Sequence, residues 1–353
     1  MNLVLRSALL PVEQELLIEN LNRNLPLRNN RIVHTRRYLN PLGPGWSWIL
    51  TEKGTDALVA TASSFPRSFW RNGEKVVCAQ VVDFAVEAPY RSLGPAVQLQ
   101  RATFEPVDKG EADLAYDCPP HDRGMSTFVR LGMTSVCEVV RYAHLLRSDE
   151  FVSHRLGTGP LTRPIIAMAN AALRSRRYSR PMQGIEVFPH EGRFDEEFSS
   201  LDQHVSSLGL ARASRCAEEL NWRYFREAAL APEASAELPN YQVLVGRRRG
   251  ELLGYAILLA QKNDVLCIVD LFGANLEEWG GTLIEAIVDV GRRLNALRID
   301  ALCSAGIGLH SLLVGSGFRA RERLYWVVPY QSVNTGTRPH SELQWPFSNL
   351  EVM

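Results

Sequence analysis

The sequence predicts an α+β fold in which a mixed, mostly antiparallel sheet is flanked by helices, and it predicts this arrangement twice in tandem. The length of 353 residues suits two domains. Helix-like and strand-like segments alternate along the chain. The order of these segments in the first half returns in the second half, which indicates a duplication whose two sequences have diverged.

The first half begins with a helical pattern that ends before a cluster of proline and glycine residues at 41–45. Its most distinctive segment, 76–86, is rich in valine and predicts a central strand that is covered on both faces. The predicted elements are a helix at 12–39, strands at 46–50, 57–64 and 76–86, a helix after a turn at 91–96, a strand at 112–118, a helix at 121–133 and a strand at 135–146.

A stretch rich in glycine and proline at 147–195 surrounds one basic helical segment and separates the two halves. The predicted elements beyond it are a helix at 194–226, strands at 241–248, 252–261 and 265–272, a helix at 277–295, a strand at 298–304, a helix near 310–317 and a strand at 323–330. We therefore predict a domain at 1–150, a linker with a basic helix at 151–193, a second domain at 194–332 and a C-terminal tail at 333–353.

Composition restricts the partners that we expect. The 39 basic residues balance the 39 acidic ones, which argues against a protein that wraps nucleic acid. The six cysteines are scattered without close pairs, so we expect neither a metal site nor disulfides. The chain has no recognisable signal peptide and no apolar run of about 18 residues. We expect a cytoplasmic protein without a membrane partner, and a homodimer is possible.

The turn at 91–96 carries the clearest chemical signal. The first amides of a helix have no intrahelical acceptor, and the helix dipole adds positive potential, so a helix that follows a strand offers a site for an anion such as a pyrophosphate. Gly94 and the small Ala96 let the backbone approach the phosphates. Pro95 removes one amide but is well tolerated at the first helical position, where we expect it. Arg91 is placed for a charge-assisted contact.

The segment VDFAVEAPYRSLGPA resembles the acetyl-CoA signature of the GCN5-related N-acetyltransferases, in which Arg/Gln-x-x-Gly-x-Gly/Ala follows a strand, a valine and a proline. The matching residues here are Val86, Pro89, Arg91, Gly94 and Ala96. The resemblance covers about residues 12–146. It implies acetyl-CoA as co-substrate, with the cofactor-binding residues Phe84, Val86, Arg91, Ser92, Leu93, Gly94, Pro95, Ala96 and His121.

A second segment, HDRGMSTFVRLGM, resembles a later helix of the same family. His121 takes the position of its asparagine and Gly124 that of its alanine. Phe128 replaces the tyrosine that often protonates the leaving thiolate, so protonation of the thiolate by a tyrosine at this position is excluded.

The resemblance implies direct attack of an amine on the thioester, which requires a base near the central strand. Asp83 interrupts an otherwise apolar strand, and several members of the family carry a carboxylate base at this place. We therefore predict Asp83 as the catalytic base. A structural ion pair with Arg91 or Arg101 is the alternative.

The second half lacks the phosphate-binding spacing, and Glu277 and Glu278 would repel a pyrophosphate at the start of its long helix. The predicted function is transfer of an acetyl group from acetyl-CoA to a primary amine of a small-molecule acceptor. Two alternatives remain: an aminoacyl transferase of the peptidoglycan-bridge type, and a non-catalytic acyl-CoA-binding protein.

Overall fold

A computed structural model describes residues 2–25, 30–91, 93–157, 159, 162–175, 182–206, 210–225, 240–332, 344–348 and 351. The chain divides into two compact units. The first unit consists of Met1–Glu138, Leu208–Ser214 and Tyr325–Gln344. The second unit consists of Val139–Ser207, Arg215–Leu324 and Trp345–Met353.

The elements up to residue 145 follow the predicted order. They are β1 (Leu3–Ser7), α1 (Gln14–Asn24), α2 (Asn30–Tyr38), β2 (Trp46–Glu52), β3 (Leu58–Arg71), β4 (Glu74–Val86), a 3₁₀ turn (Ala88–Tyr90), α3 (Leu93–Ala102), α4 (Glu105–Asp108), β5 (Leu114–Asp117), α5 (Asp122–Arg130) and β6 (Cys137–Leu145).

The remaining elements contain the second copy of this order. They are α6 (Asp149–Leu156), α7 (Thr162–Ser175), β7 (Glu186–His190), α8 (Glu196–Val205), β8 (Ala211–Ala213), α9 (Ala217–Tyr224), β9 (Tyr241–Arg248), β10 (Glu251–Gln261), β11 (Val265–Gly273), α10 (Leu276–Arg293), β12 (Arg298–Ser304), α11 (His310–Gly315) and β13 (Arg319–Tyr330).

Each unit has a mixed sheet of the same design. In the first unit the strand order is β1-β2-β3-β4-β5-β13, and only β4 and β5 pair in parallel. In the second unit the order is β6-β12-β11-β10-β9-β7, and only β11 and β12 pair in parallel. This confirms the predicted α+β fold with mixed, mostly antiparallel sheets.

The helices pack through apolar faces onto these sheets. In the first unit Leu99 and Ala102 of α3 lie in a cluster with Val59 and Ala60 of β3. Phe128 of α5 packs against Ala79 and Val81 of β4 in a neighbouring cluster. In the second unit α10 forms the centre of a larger cluster, with Leu283, Ile284 and Ile287 fully buried. Burial of these side chains is the main favourable term for both units.

The predicted helix at 12–39 is two helices. Leu25 is extended (φ −117°, ψ 124°) because Pro26 follows it and disfavours helical backbone at the preceding residue. The predicted helix at 194–226 is likewise divided into α8 and α9 by β8. The strands β1 and β7 were not predicted, since five residues with mixed burial leave a weak alternation.

The bounds of the two units differ from the predicted domain boundaries, which stay a prediction. The reason lies in the last strands of the two repeats: most of β6 belongs to the second unit, and the end of β13 belongs to the first. In the segment predicted as a tail, Trp345 and Phe347 are buried in the second unit.

Candidate functional site

The strands β4 and β5 pair for only a short distance. Their parallel ladder joins Cys78–Gln80 to Leu114–Tyr116, whereas on its other edge β4 pairs with β3 from Glu74 to Val86. The β3–β4 register shifts between Thr61 and Ser63, and Asp83 has a positive φ of 54° at this β-bulge. Beyond the short ladder, at the level of the bulge, the edge of β4 opposite β3 is therefore not paired with β5.

The helix α3 begins beside this edge. It starts at Leu93 with no acidic residue in its first turn. Pro95 was predicted as the first helical residue, but it is the third. At either position its missing amide costs no helical hydrogen bond. Gly94 is exposed, and a Cβ added there would meet no atom within 4 Å, so the first turn faces open space. Ser92 lies outside the described residues.

A pocket of about 460 Å³ brings together several of the predicted residues. Its predicted lining residues are Phe84, Val86, Arg91, Ala96 and His121. Gly94 lies in an adjoining shallow cavity of about 430 Å³, together with the exposed arginines Arg101 and Arg130. The turn, the strand and the later helix thus all contribute residues to the 460 Å³ pocket, whereas Gly94 lines a separate cavity, and the cofactor-binding role of these residues stays a prediction.

Two arginine side chains form hydrogen bonds that fix the residues lining the 460 Å³ pocket. The Arg91 Nε donates to the Val86 carbonyl (3.1 Å), and its Nη2 donates to Asn24 Oδ1 of α1 (2.9 Å). The Arg123 Nη2 donates to the Arg91 carbonyl (2.9 Å). Arg91 therefore fixes the turn as well as lining the pocket, and the Val86 carbonyl already has a donor.

His121 caps the helix α5. Its Nδ1 accepts a hydrogen bond from the Gly124 amide (3.0 Å), which makes the Nε2 the protonated nitrogen of the neutral ring. Phe128, at the position of the family's tyrosine, is only 2 % exposed and belongs to the apolar core. Neither side chain acts as a tyrosine-like acid.

Asp83 pairs with Arg37 of α2, and not with Arg91 or Arg101. The bulge turns the Asp83 side chain toward α2, where it is 10 % exposed. Its Oδ1 contacts the guanidinium, whereas its Oδ2 is buried and has no hydrogen-bond partner among the described residues. A buried carboxylate oxygen without a donor is rare and calls for an explanation.

His34 lies one helical turn before Arg37 and is 1 % exposed. Burial lowers its pKa, against the opposing effect of Asp83, so the ring is neutral near pH 7. The Nδ1 is 3.4 Å from Gln14 Nε2, and the Nε2 has no partner among the described residues. Two buried polar atoms near this bulge, Asp83 Oδ2 and His34 Nε2, therefore have no hydrogen-bond partner among the described residues.

The second unit has a corresponding bulge that is fully satisfied. Asp270 of β11 pairs with Arg215 at 3.1 Å, and its carboxylate also accepts hydrogen bonds from the Tyr255 hydroxyl (2.9 Å) and the Leu271 amide (3.1 Å). Arg215 pairs on its other side with Glu351 (2.8 Å). The pairing of Asp and Arg at a bulge recurs in both units, and of these two aspartates Asp83 alone has an oxygen without a donor among the described residues.

The start of α10 takes the place of the phosphate loop in the second unit. Glu277 and Glu278 are both in its first turn, as predicted, whereas the first turn of α3 carries no acid. Anions are therefore favoured at the helix start of the first unit and disfavoured at that of the second.

No protein-family model matches the sequence, and the comparison with curated proteins finds no match. Solved structures do match. A GCN5-related N-acetyltransferase from Anabaena variabilis superimposes with a TM-score of 0.63 at 12 % identity, over 93 % of this chain and 72 % of that one. Saccharomyces cerevisiae N-myristoyltransferase with bound myristoyl-CoA superimposes with a TM-score of 0.58 at 12 % identity, over 100 % and 89 %.

The chain has the fold of the GCN5-related N-acetyltransferases. At 12 % identity this likeness shows the fold and nothing finer. A probable N-acyltransferase from Enterococcus faecalis, described as a protein of unknown function, shares the fold as well, with a TM-score of 0.60 at 12 % identity over 93 % of this chain and 72 % of that one.

Within this N-acetyltransferase fold, sequence reasoning missed a carboxyl at the end of β5. Desolvation raises the pKa of Asp117 to about 7, against hydrogen bonds from the Cys118 amide and Gln100. The Gln100 Nε2 lies 3.4 Å from Asp117 Oδ2. A carboxyl group with this pKa can donate or accept a proton near neutral pH.

His34, Arg37 and Arg123 were also missed. His34 and Arg37 belong to an ordinary amphipathic segment, and the signal that would have found them is the unusual aspartate in β4, which requires a cationic partner. Among the described residues, no group of three His, Cys, Asp or Glu side chains comes together as a metal site. None of the helices within the described ranges is long and apolar enough to cross a bilayer.

Proposed function

We propose that the first unit binds acetyl-CoA in the 460 Å³ pocket and transfers the acetyl group to a primary amine of a small-molecule acceptor. The observation that carries this proposal is the open first turn of α3 at Gly94, beside the edge of β4 that β5 leaves uncovered. Amides for a pyrophosphate and a free strand edge for an extended ligand lie next to each other. The myristoyl-CoA bound to the yeast relative supports a CoA thioester as the ligand class.

The residues present fit such a ligand. Leu93, Gly94 and Ala96 supply first-turn amides, and Pro95 supplies none. Arg101 in the last turn of α3 and Arg130 of α5 line the same cavity as Gly94 and add positive charge there. The pocket carries no acidic lining residue, so its charge suits a polyanion.

Asp83 and His34 are the groups that we assign to the amine. The Asp83 Oδ2, which has no donor among the described residues, is the oxygen that we assign to the incoming ammonium, although neither Asp83 nor His34 lines the 460 Å³ pocket itself. Asp83 or the neutral His34 first takes one proton from the ammonium, and the resulting neutral amine attacks the thioester carbonyl, so that a C–N bond forms and the C–S bond breaks. The nitrogen then loses its second proton to water, and the departing thiolate takes its proton from water, since Phe128 cannot supply one.

A non-catalytic acyl-CoA-binding protein is the second candidate, and the buried Phe128 favours it. Both candidates require CoA binding, but only the enzyme releases free thiol when an amine is added. A panel of acetyl-CoA, longer acyl-CoAs and CoA in calorimetry, followed by thiol release with candidate amines, separates the two. Since acetyl-CoA is a cytoplasmic metabolite, we place the reaction in the cytoplasm.

Gly94→Trp tests the site itself. An indole at this exposed position would fill the space that the phosphates need, and loss of one or two charge-assisted hydrogen bonds would raise the Kd for CoA by roughly 10-fold to 100-fold. The matched control is Gly315→Trp in α11, which is also exposed, helical and open to an added Cβ. Equal CoA affinity in the two variants would remove the helix start from the binding site.

A further inference from the structure

The segment that joins the two repeats has an unusual charge. The chain as a whole carries no net charge, yet residues 151–185 contain six arginines and neither aspartate nor glutamate. Two of these arginines, Arg155 and Arg163, lie on the described helices α6 and α7 and are exposed. Neither forms an ion pair within the described part of the chain.

The same two helices expose large apolar side chains. Phe151 and Leu156 of α6 are each 59 % exposed, and Ile165 and Met168 of α7 are 43 % and 74 % exposed. No apolar side chain that is described in α7 is buried. A helix with this composition ordinarily buries one face, so α7 presents an apolar face that no described element covers.

Hydrogen bonds hold α7 in a fixed position against α6. Asn170 of α7 accepts hydrogen bonds from the Ser148 amide (2.7 Å) and hydroxyl (2.8 Å) at the start of α6, and its Nδ2 donates to Asp149 Oδ1 (2.6 Å). These bonds fix α7 against α6. Met168 lies about 200° around α7 from Asn170, on the side away from this contact.

Basic groups surround the apolar side chains. The Arg155 guanidinium lies 4.9 Å from the centre of the Phe151 ring, which orders both side chains on one face of α6. The two residues also line a cavity of about 840 Å³ in the second unit. Arg141, Arg147, Arg298, Arg321 and Glu150 line this cavity as well. Of these arginines, Arg141 pairs with Asp300 and Glu322, Arg147 with Asp149 and Arg298 with Asp300.

We propose that α6 and α7 bind the surface of an anionic lipid bilayer, with Phe151, Leu156, Ile165 and Met168 entering the interface and Arg155 and Arg163 facing the headgroups. Protruding apolar side chains flanked by arginines are the pattern of helices that lie in a membrane interface. The expectation of no membrane partner was based on the absence of a spanning segment, which such a helix does not need.

Charge decides against the other occupants. A second copy of the chain would bring the same arginine-rich segment to both sides of the contact, and like charges repel. Nucleic acid would satisfy the arginines but leave four large apolar side chains without a partner. Vesicle binding of the full chain tests the proposal directly, using phosphatidylcholine vesicles and vesicles made of an equal mixture of phosphatidylcholine and phosphatidylglycerol.

We expect flotation with the anionic vesicles, little binding to pure phosphatidylcholine, and release as salt screens the charges. Met168→Glu should weaken binding at least about tenfold, and Arg155→Gln should weaken it about fivefold. The matched control is Val12→Glu, which places the same charge at an 83 % exposed apolar position of the first unit. Unchanged circular dichroism and CoA affinity would show that each variant is folded.

Three results would overturn the proposal. The first is absence of binding to anionic vesicles, and the second is equal binding to both vesicle types. The third is a Met168→Glu variant that binds as well as Val12→Glu. A concentration-dependent dimer in sedimentation velocity that Met168→Glu abolishes would instead assign the surface to a second copy of the chain.

Discussion

The replacement of Asp117 by asparagine tests the electrostatics of the first unit most sharply. The folded protein raises the pKa of this carboxyl from the ordinary value of 3.8 to about 7. In the unfolded chain the carboxyl ionises above about pH 4. Between about pH 4 and pH 7 the unfolded state therefore gains from ionisation while the folded state does not, so the aspartate reduces stability progressively as the pH rises. Above pH 7 the penalty is constant.

The size of the penalty follows from the pKa difference. About 3 pKa units at 1.36 kcal/mol each give about 4 kcal/mol as the upper limit for Asp117 above pH 7. Asparagine removes this penalty but keeps only one carbonyl oxygen for the Gln100 and Cys118 donors, and one lost hydrogen bond costs about 1 kcal/mol. We expect Asp117→Asn to raise the free energy of unfolding by about 3 kcal/mol near pH 8.

The assay is urea unfolding of both proteins, followed by tryptophan fluorescence at several pH values. The advantage of Asp117→Asn should be absent near pH 4, grow between pH 4 and pH 7, and stay constant above that range. A difference that does not change with pH would refute the desolvated carboxyl, because a packing change at this position has no reason to titrate.

Three further variants test the bulges. Asp83→Asn should lower turnover about 10²-fold to 10⁴-fold in a thiol-release assay with little change in the Kd for CoA, since an amide cannot accept the proton; undiminished turnover would end its role as base. Protonation of the buried His34 should reduce activity as the pH falls through its lowered pKa, and a His34→Gln variant that keeps the same acid limb would exclude it. Arg215→Met should cost about 3 to 5 kcal/mol of unfolding free energy by leaving Asp270 and Glu351 without their cation; a loss below about 1 kcal/mol in urea unfolding would contradict this.

The elements that were predicted correctly have strong local signals. The valine-rich run of β4 occupies a central position in its sheet. A helix follows this strand as predicted, but it begins at Leu93, inside the segment predicted as a turn at 91–96. The pocket residues Phe84, Val86, Ala96 and His121 follow from these elements and from the resemblance. The partner of Asp83 could not be predicted, because nothing local in the spacing of α2 relates Arg37 to a bulge 46 residues later.

The sequence by itself determined the order of most elements and the absence of acidic residues from the first turn of α3, because periodicity, turn residues and the charge of a first turn are local properties. Only the tertiary structure decided which unit each terminal strand completes and that β4 and β5 separate after three paired residues. It also decided that, among the residues the structure describes, Asp83 has an oxygen without a hydrogen-bond donor whereas Asp270 has donors for its carboxylate. Those features depend on contacts between residues that are far apart in the chain. Such contacts produce no regular local pattern in the sequence, so they could not be predicted from it.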